Sequence, residues 1–283
     1  MFEVEMGTNI GTEVLTVIHS EKIIYKQRFP SPHPNIELYK VTYLSEGLKV
    51  KGMLSVPIVS KPLPGLLYLR GGIKKVGMVR PARLIEFAAH GFVVLAPFYR
   101  GNEGGEGNED FAGKDRYDAF HAYTVLKSLP QVKENDIHVF GFSRGGPMAL
   151  FTAIKFPEIR SVVTWGGVTE MRWTYEERVD LRRMMKRVIG GSPDKYSEEY
   201  EWRSPLYYCH DLQVPLLMIH GMCDENVNVE HTLQMKRCLA KLGKEHEEWL
   251  YPQFTHHFPP REKRKITKAL CDWMKSHSPE ENG

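Results

Sequence analysis

Ile137-His138-Val139-Phe140-Gly141-Phe142-Ser143-Arg144-Gly145-Gly146-Pro147-Met148-Ala149-Leu150 is the stretch on which the reading of this chain turns. An apolar strand, 137–142, runs into Gly-x-Ser-x-Gly, and an apolar helical segment, 148–155, follows. A sharp turn from strand to helix holds its serine in a strained conformation, and glycines two residues to either side let the chain pass that closely. The helix that starts there aims its dipole and free N–H groups at charge developing beside the serine. Pro147 suits a first helical turn, where no backbone donor is missed. The alternative is a tight glycine-rich turn with an incidental serine, and the flanking strand and helix argue against it. Ser143 is therefore the candidate nucleophile.

Outward from this point, strands alternate with helices. Upstream, 66–70 and 92–96 read as short buried strands, with a helix at 83–90 between them stopped by Gly91. A glycine-rich loop, 100–107, leads to a helix carrying Ala119, Ala122, Tyr123 and Leu126 on one face. Downstream, 161–165, 214–219 and 247–251 read as strands. Helices burying Met235, Cys238, Leu239 and Leu242, then Ile266, Ala269, Leu270 and Trp273, follow the last two. Buried strands separated by helices imply an α/β architecture, a mostly parallel sheet covered on both faces. Residues 13–56 read as β-structure, with 36–43 and 48–56 forming an antiparallel hairpin about Ser45-Glu46-Gly47. The rhythm breaks over 168–204, rich in charge, Met and aromatics. This stretch is expected to be a helical excursion over the carboxyl edge of the sheet, where open α/β sheets bind ligands. With no linker or repeat, 1–283 reads as a single domain with 1–56 as an N-terminal β extension.

A net charge of +3, with no long basic run, argues against an electrostatically driven nucleic-acid or membrane partner. The segment 1–13 has no apolar core of the kind a secretion signal needs, and no apolar run is long enough for a bilayer. The four cysteines, Cys209, Cys223, Cys238 and Cys271, form no metal or redox motif, so reduced thiols in a cytoplasmic protein are expected.

Where a serine sits on such an elbow, its partners follow in the chain order Ser, Asp or Glu, His. Asp224 lies in the loop after strand 214–219, with Glu225 its neighbour and rival. Strand 247–251 runs into His256-His257, which position alone does not separate. One imidazole nitrogen must take the serine proton while the other is held by the carboxylate. His220 precedes the acid and reads as a satisfied loop histidine.

From Val41 to Ser276 the chain resembles the catalytic domain of the prolyl oligopeptidase family of α/β-hydrolases. The resemblance is carried by Leu69-Arg70-Gly71-Gly72, Arg100-Gly101-Asn102-Glu103-Gly104-Gly105, Gly141 to Gly146, Arg203-Ser204-Pro205-Leu206, His220-Gly221-x-x-Asp224-x-x-Val227 and Tyr251-Pro252-x-x-x-His256-x-Phe258. It implies the α/β-hydrolase fold, with Ser143 as nucleophile, Asp224 as orienting acid and His256 as base. It also implies oxyanion donors from the amide of Arg144 and from the Gly71–Gly72 stretch, each such donor being worth about a hundred- to thousandfold in rate. The family usually has His or Tyr where Arg70 stands, and here Arg70 is read either as a substrate contact or as the partner of an acid. The β-propeller that filters peptides in full-length members has no room before Val41, and no paired-glutamate motif for a peptide amino terminus is found.

Trp165, Trp173, Tyr175 and Trp202 are candidates to line a substrate pocket, with Trp173 and Trp202 foremost. The glycines around Lys114 miss P-loop spacing, those of 100–107 miss the dinucleotide fingerprint, and Asp115 and Asp118 suit a structural role at a helix start. No histidine pair has metal-site spacing, and triad chemistry needs no metal or cofactor. The expected activity is hydrolysis of carboxylic esters by an acyl-serine route, akin to dienelactone hydrolases and esterases. The alternatives are a small peptidase or aminopeptidase acting on short peptides, and a non-catalytic binding protein on the same fold. That Ser143, Asp224 and His256 are all present weighs against the last.

Overall fold

The computed structural model describes residues 22–280. The N-terminal strands β1 (Tyr25–Phe29), β2 (Ile36–Ser45) and β3 (Leu48–Pro57) pair antiparallel. The remaining strands are β4 (Leu63–Leu69), β5 (Val93–Pro97), β6 (Val132–Phe142), β7 (Ser161–Trp165), β8 (Leu216–Gly221) and β9 (His246–Tyr251). All nine form one sheet in the order β1-β2-β3-β5-β4-β6-β7-β8-β9. Every pairing from β5 through β9 is parallel, and β3 joins the two parts by running antiparallel to β5. This is the α/β-hydrolase fold with the antiparallel N-terminal hairpin that the sequence implied. The hairpin turn has Glu46 and Gly47 at φ 50° and 76°, the primed geometry that matches strand twist in a two-residue loop. The part of the β extension before residue 22, and the segment 1–13 read for a leader, lie outside the described residues.

The helices are α1 (Pro81–Ala89), α2 (Arg116–Lys127), α3 (Gly145–Lys155), α4 (Met171–Glu177), α5 (Arg182–Ile189), α6 (Ser197–Trp202), α7 (Glu230–Lys241) and α8 (Pro260–Ser276). Because side chains alternate along a strand, the sheet sends Leu67, Leu69 and Val139 to one core and Leu66 and Phe140 to the other. Helices α2, α3 and α7 cover the first face, and α1 and α8 cover the second. Strands buried on both faces are apolar throughout, so they read as runs rather than as alternation. The strand expected at 214–219 begins two residues later, after Pro215, which has no N–H to give a ladder. No helix of the described residues is long and apolar enough to cross a membrane.

One expectation needs correcting. Cys209 and Cys238 are joined in a disulfide, with Cα atoms 6.6 Å apart, rather than both being free thiols. They lie 29 residues apart in no recognisable motif, and only the packing of the short 3-10 helix Pro205–Asp211 on α7 brings them together. Cys223 is free and exposed, and Cys271 is free and buried.

Candidate active site

The carboxyl ends of β6, β7, β8 and β9 converge on one edge of the sheet. At the end of β6 the chain turns through Ser143, which adopts φ 55°, a left-handed conformation costly for a residue with a Cβ. Surrounding hydrogen bonds over-determine it. Ser143 N donates to Trp165 O at 3.0 Å, while Gly146 N and Val168 N donate to Ser143 O at 2.8 and 3.2 Å.

The flanking glycines answer to space. A Cβ on Gly145 would lie 2.1 Å from Leu69 O, and one on Gly141 would lie 2.2 Å from Gly145 O. Gly145→Ala is therefore expected to destabilise the protein by about 1–3 kcal/mol, because backbone must move to admit the methyl. Urea unfolding measures this, and a midpoint equal to that of the wild type would show the elbow to be looser than described.

Asp224 follows β8. Its Oδ1 accepts from the backbone N–H groups of Asn226 and Val227 at 2.8 and 2.9 Å, and its Oδ2 accepts from His256 Nδ1 at 2.7 Å. Burial pushes this carboxyl up. The hydrogen bonds from His220 and His256, the His256 charge and the Val227 N–H outweigh that and hold it well below the usual carboxylate range. Asp224 thus stays ionised throughout the neutral and mildly acidic range. Its contribution to stability is present above the ordinary carboxylate pKa and is lost only as pH falls through the lower native value.

His256 is 6 % exposed, and its ring packs 4.8 Å from that of Phe142, the residue before the serine. Gly166, at the end of β7, passes directly beneath the pair: a Cβ there would lie 3.1 Å from His256 Nδ1 and 3.2 Å from Asp224 Oδ2. Since Trp165 O accepts from Ser143 N, the serine turn and the Asp–His pair meet around one glycine. Asp224 and His256 are joined directly. Ser143 shares their edge, and among the described residues no hydrogen bond links its hydroxyl to the imidazole. Such bonds often form only when substrate is bound. His257, which position alone did not separate from His256, is exposed and stacks on Phe142 at 5.6 Å. His220 is buried and satisfied by Thr232 Oγ1 and Val227 O, and it sits within β8 rather than in a loop.

The loop after β4 lies against the serine. A Cβ on Gly71 would fall 2.8 Å from Ser143 Cβ, and Gly72, at φ 66°, turns the chain away. Behind this loop is a buried charge cluster that the sequence did not reveal. Glu109 Oε1 accepts from Arg70 Nη2 at 2.9 Å and Arg144 Nη2 at 2.5 Å, and its Oε2 accepts from Lys74 N at 2.6 Å. Arg144 Nη1 also donates to Asp115 Oδ2 at 2.9 Å. Glu109 therefore ties the residue before Gly71 to the residue after Ser143, the two places from which oxyanion donors would come. No motif marks Glu109; only Asp115 and Asp118 had been read as structural. Asp118 is structural indeed, holding Arg100 and Ser45.

Of the two roles read for Arg70, this arrangement favours pairing with an acid. Arg70 is fully buried, and its guanidinium is spent on Glu109, Phe98 O, Gly71 O and Val76 O, so it cannot reach substrate. The Trp202 ring is covered by the guanidinium groups of Arg116 and Arg203, at 4.1 and 5.0 Å. Trp173 packs edge-on to His231 at 5.3 Å. Neither borders the cavity that reaches His256; Trp165 does. The stretch 168–204 contains α4, α5 and α6. It starts at the Val168 contact with Ser143 and touches the loop beyond Asp224 where Glu177 accepts from Asn228 N at 3.3 Å.

The profile of the prolyl oligopeptidase family matches residues 79–280, which hold the serine elbow, the Asp–His pair and all the helices from α1 to α8. The chain belongs to that family. It is 56 % identical over 255 residues to an uncharacterized peptidase, YtmA, of Bacillus subtilis, covering 90 % of this chain and 99 % of that one. It is also 26 % identical over 231 residues to human dipeptidyl peptidase 8, covering 74 % of this chain and 25 % of that one.

Among solved structures, Pyrococcus horikoshii acylaminoacyl peptidase superposes with a TM-score of 0.73 at 21 % identity. That match covers 93 % of this family member and 43 % of the peptidase, so the chain spans less than half the peptidase's length. An acetyl xylan esterase from Paenibacillus sp. R4 superposes with a TM-score of 0.71 at 18 % identity, covering 89 % and 88 % of the two chains. These two likenesses show the fold. Membership of the family makes the protein a serine hydrolase of peptidase or esterase type.

Proposed function

We propose that the protein hydrolyses carboxylic esters through an acyl-Ser143 intermediate. The observation that carries this reading is the 2.7 Å bond from His256 Nδ1 to Asp224 Oδ2, set beside a serine held at φ 55° on a strand-to-helix turn. With Nδ1 occupied by an ionised carboxylate, Nε2 is the nitrogen free to accept the Ser143 proton. Oγ attacks the ester carbonyl, and the oxyanion is held by the Arg144 amide and the Gly71–Gly72 loop. His256 returns the proton to the leaving alkoxide as the C–O bond breaks. It then takes a proton from water, whose hydroxide attacks the acyl-enzyme and releases the acid and Ser143.

Cleavage of short peptides or aminoacyl amides by the same residues is the second reading. It is favoured by the name of the 56 % identical relative. Amide cleavage demands protonation of a poorer leaving group and tighter positioning of substrate. The two are separated by comparing p-nitrophenyl esters with aminoacyl-p-nitroanilides. Turnover of the esters alone is the expected result. Anilide turnover at comparable kcat/KM would replace the esterase reading with the peptidase one.

A further inference from the structure

A cavity of about 380 Å³ opens between the first turns of α1 and α8, and His256, Phe142 and Gly71 form its wall on the catalytic side. That volume suits a small organic group. Most of the remaining lining is aromatic or apolar, with Tyr68, Met78, Phe140, Trp165 and Phe258, and three basic side chains join it. Arg80 and Arg83 come from the start of α1, and Lys263 comes from the first turn of α8. Of the three, Arg83 is paired, with Glu86 and Thr267 both at 2.7 Å. Arg80 and Lys263 make no ion pair or side-chain hydrogen bond among the described residues. Helix α1 adds to the positive potential, since its N-terminus has no side-chain cap and no acid in its first turn, whereas α8 carries Glu262 there.

Desolvation, with repulsion from Arg83 and Arg80, holds the Lys263 ammonium below its ordinary value despite an opposing contribution from Glu86. Three cations therefore converge on a space whose lining holds no carboxylate, Glu86 lying outside it and paired with Arg83. A cavity with surplus positive charge is suited to a carboxylate, which accepts several hydrogen bonds and takes both charge and geometry from arginine.

The position says which part of the substrate would bring it. His256 must hand its proton to the leaving group, so the space that His256 and His257 border lies next to the departing fragment. We propose that this cavity selects substrates whose leaving group carries a carboxylate. The inference rests on the serine-hydrolase reading above and names the substrate class for it: an acyl group joined through oxygen or nitrogen to a small fragment bearing a free acid.

The test compares 4-acetoxybenzoate with its methyl ester, and alanyl-4-aminobenzoate with its methyl ester. Reading both pairs covers ester and amide chemistry alike. The free acid of whichever pair turns over should show kcat/KM roughly ten- to a hundredfold higher at low ionic strength, narrowing as salt screens the charges. Arg80→Gln/Lys263→Gln should bring that ratio towards one. p-Nitrophenyl hemisuccinate, whose carboxylate lies on the acyl side, should show no comparable advantage over p-nitrophenyl butyrate.

Binding is measured separately by calorimetry. 4-Hydroxybenzoate should bind the wild type more tightly than its methyl ester does, and the double variant should lose the difference. Failure of the neutral ester to turn over counts against the hydrolysis reading alone, because the calorimetric comparison does not depend on turnover. Equal binding of acid and methyl ester, or an acid preference untouched in the double variant, overturns the cavity assignment.

Discussion

Replacing Ser143 with alanine is expected to lower ester hydrolysis by roughly 10⁴- to 10⁶-fold in kcat, because residues that act as a unit lose most of their joint effect together. What remains would come from binding and from the oxyanion donors. Thermal unfolding should barely change, since alanine keeps the Cβ that makes φ 55° costly. Ser143→Gly should be equally inactive yet more stable by about 1 kcal/mol, because glycine occupies the left-handed region without that penalty. The pair of variants separates the chemistry of the hydroxyl from the strain of the turn that presents it. Turnover surviving in Ser143→Ala would remove the nucleophile assignment at once, and unchanged stability in Ser143→Gly would show that the elbow stores no strain.

Glu109→Gln is expected to be the other severe substitution, although no chemical step uses that residue. Its carboxylate is 2 % exposed and faces two arginines, one before Gly71 and one after Ser143. Glutamine keeps the shape and removes the charge, leaving Arg70 and Arg144 with Asp115 as the nearest compensating carboxylate. Breaking a buried ion pair on one side costs about 3–5 kcal/mol, which chemical denaturation would register. If the cluster also sets the spacing of the two oxyanion donors, kcat should fall about a hundredfold with KM little changed, the signature of an interaction lost mainly in the transition state. A stable, folded Glu109→Gln enzyme with wild-type kcat would reduce the cluster to packing.

These two residues differ in how visible they are from the amino-acid order. Ser143 announces itself because its constraint is local. The turn needs glycines at 141 and 145, a strand before it and a helix after it, and all of these lie within about twenty residues. The parallel strands were legible for a similar reason: burial on both faces leaves apolar runs whatever the neighbours are. Glu109 is silent because its partners sit at 70, 74 and 144 and meet it only once β4 and β6 are adjacent. An isolated glutamate in a glycine-rich loop reads as solvated.

The same division explains the corrections. Arg70 stands where the family usually has His or Tyr, so a substrate contact and an acid pair were both open. Its burial follows from the return of the loop at Val76 and from Glu109, neither of which Arg70 encodes. The tryptophans of 168–204 were prominent in composition, but exposure to a cavity depends on which face of a helix is covered. Trp165 reaches the cavity because it ends a strand, whereas Trp202 is enclosed by arginines from two elements. Cys209 and Cys238 became partners through the packing of one short helix on another.

By itself the amino-acid order determined the layered α/β plan, the serine turn at Ser143 and the neighbourhoods of Asp224 and of the His256-His257 pair, because each rests on short-range periodicity or on a turn that only certain residues allow. The three-dimensional arrangement decided that Arg70 and Arg144 share Glu109, and that three cations from α1 and α8 face one another across an open space. Those outcomes depend on distances between segments far apart in the chain. Such distances are set by how whole strands and helices pack, and no local pattern records them.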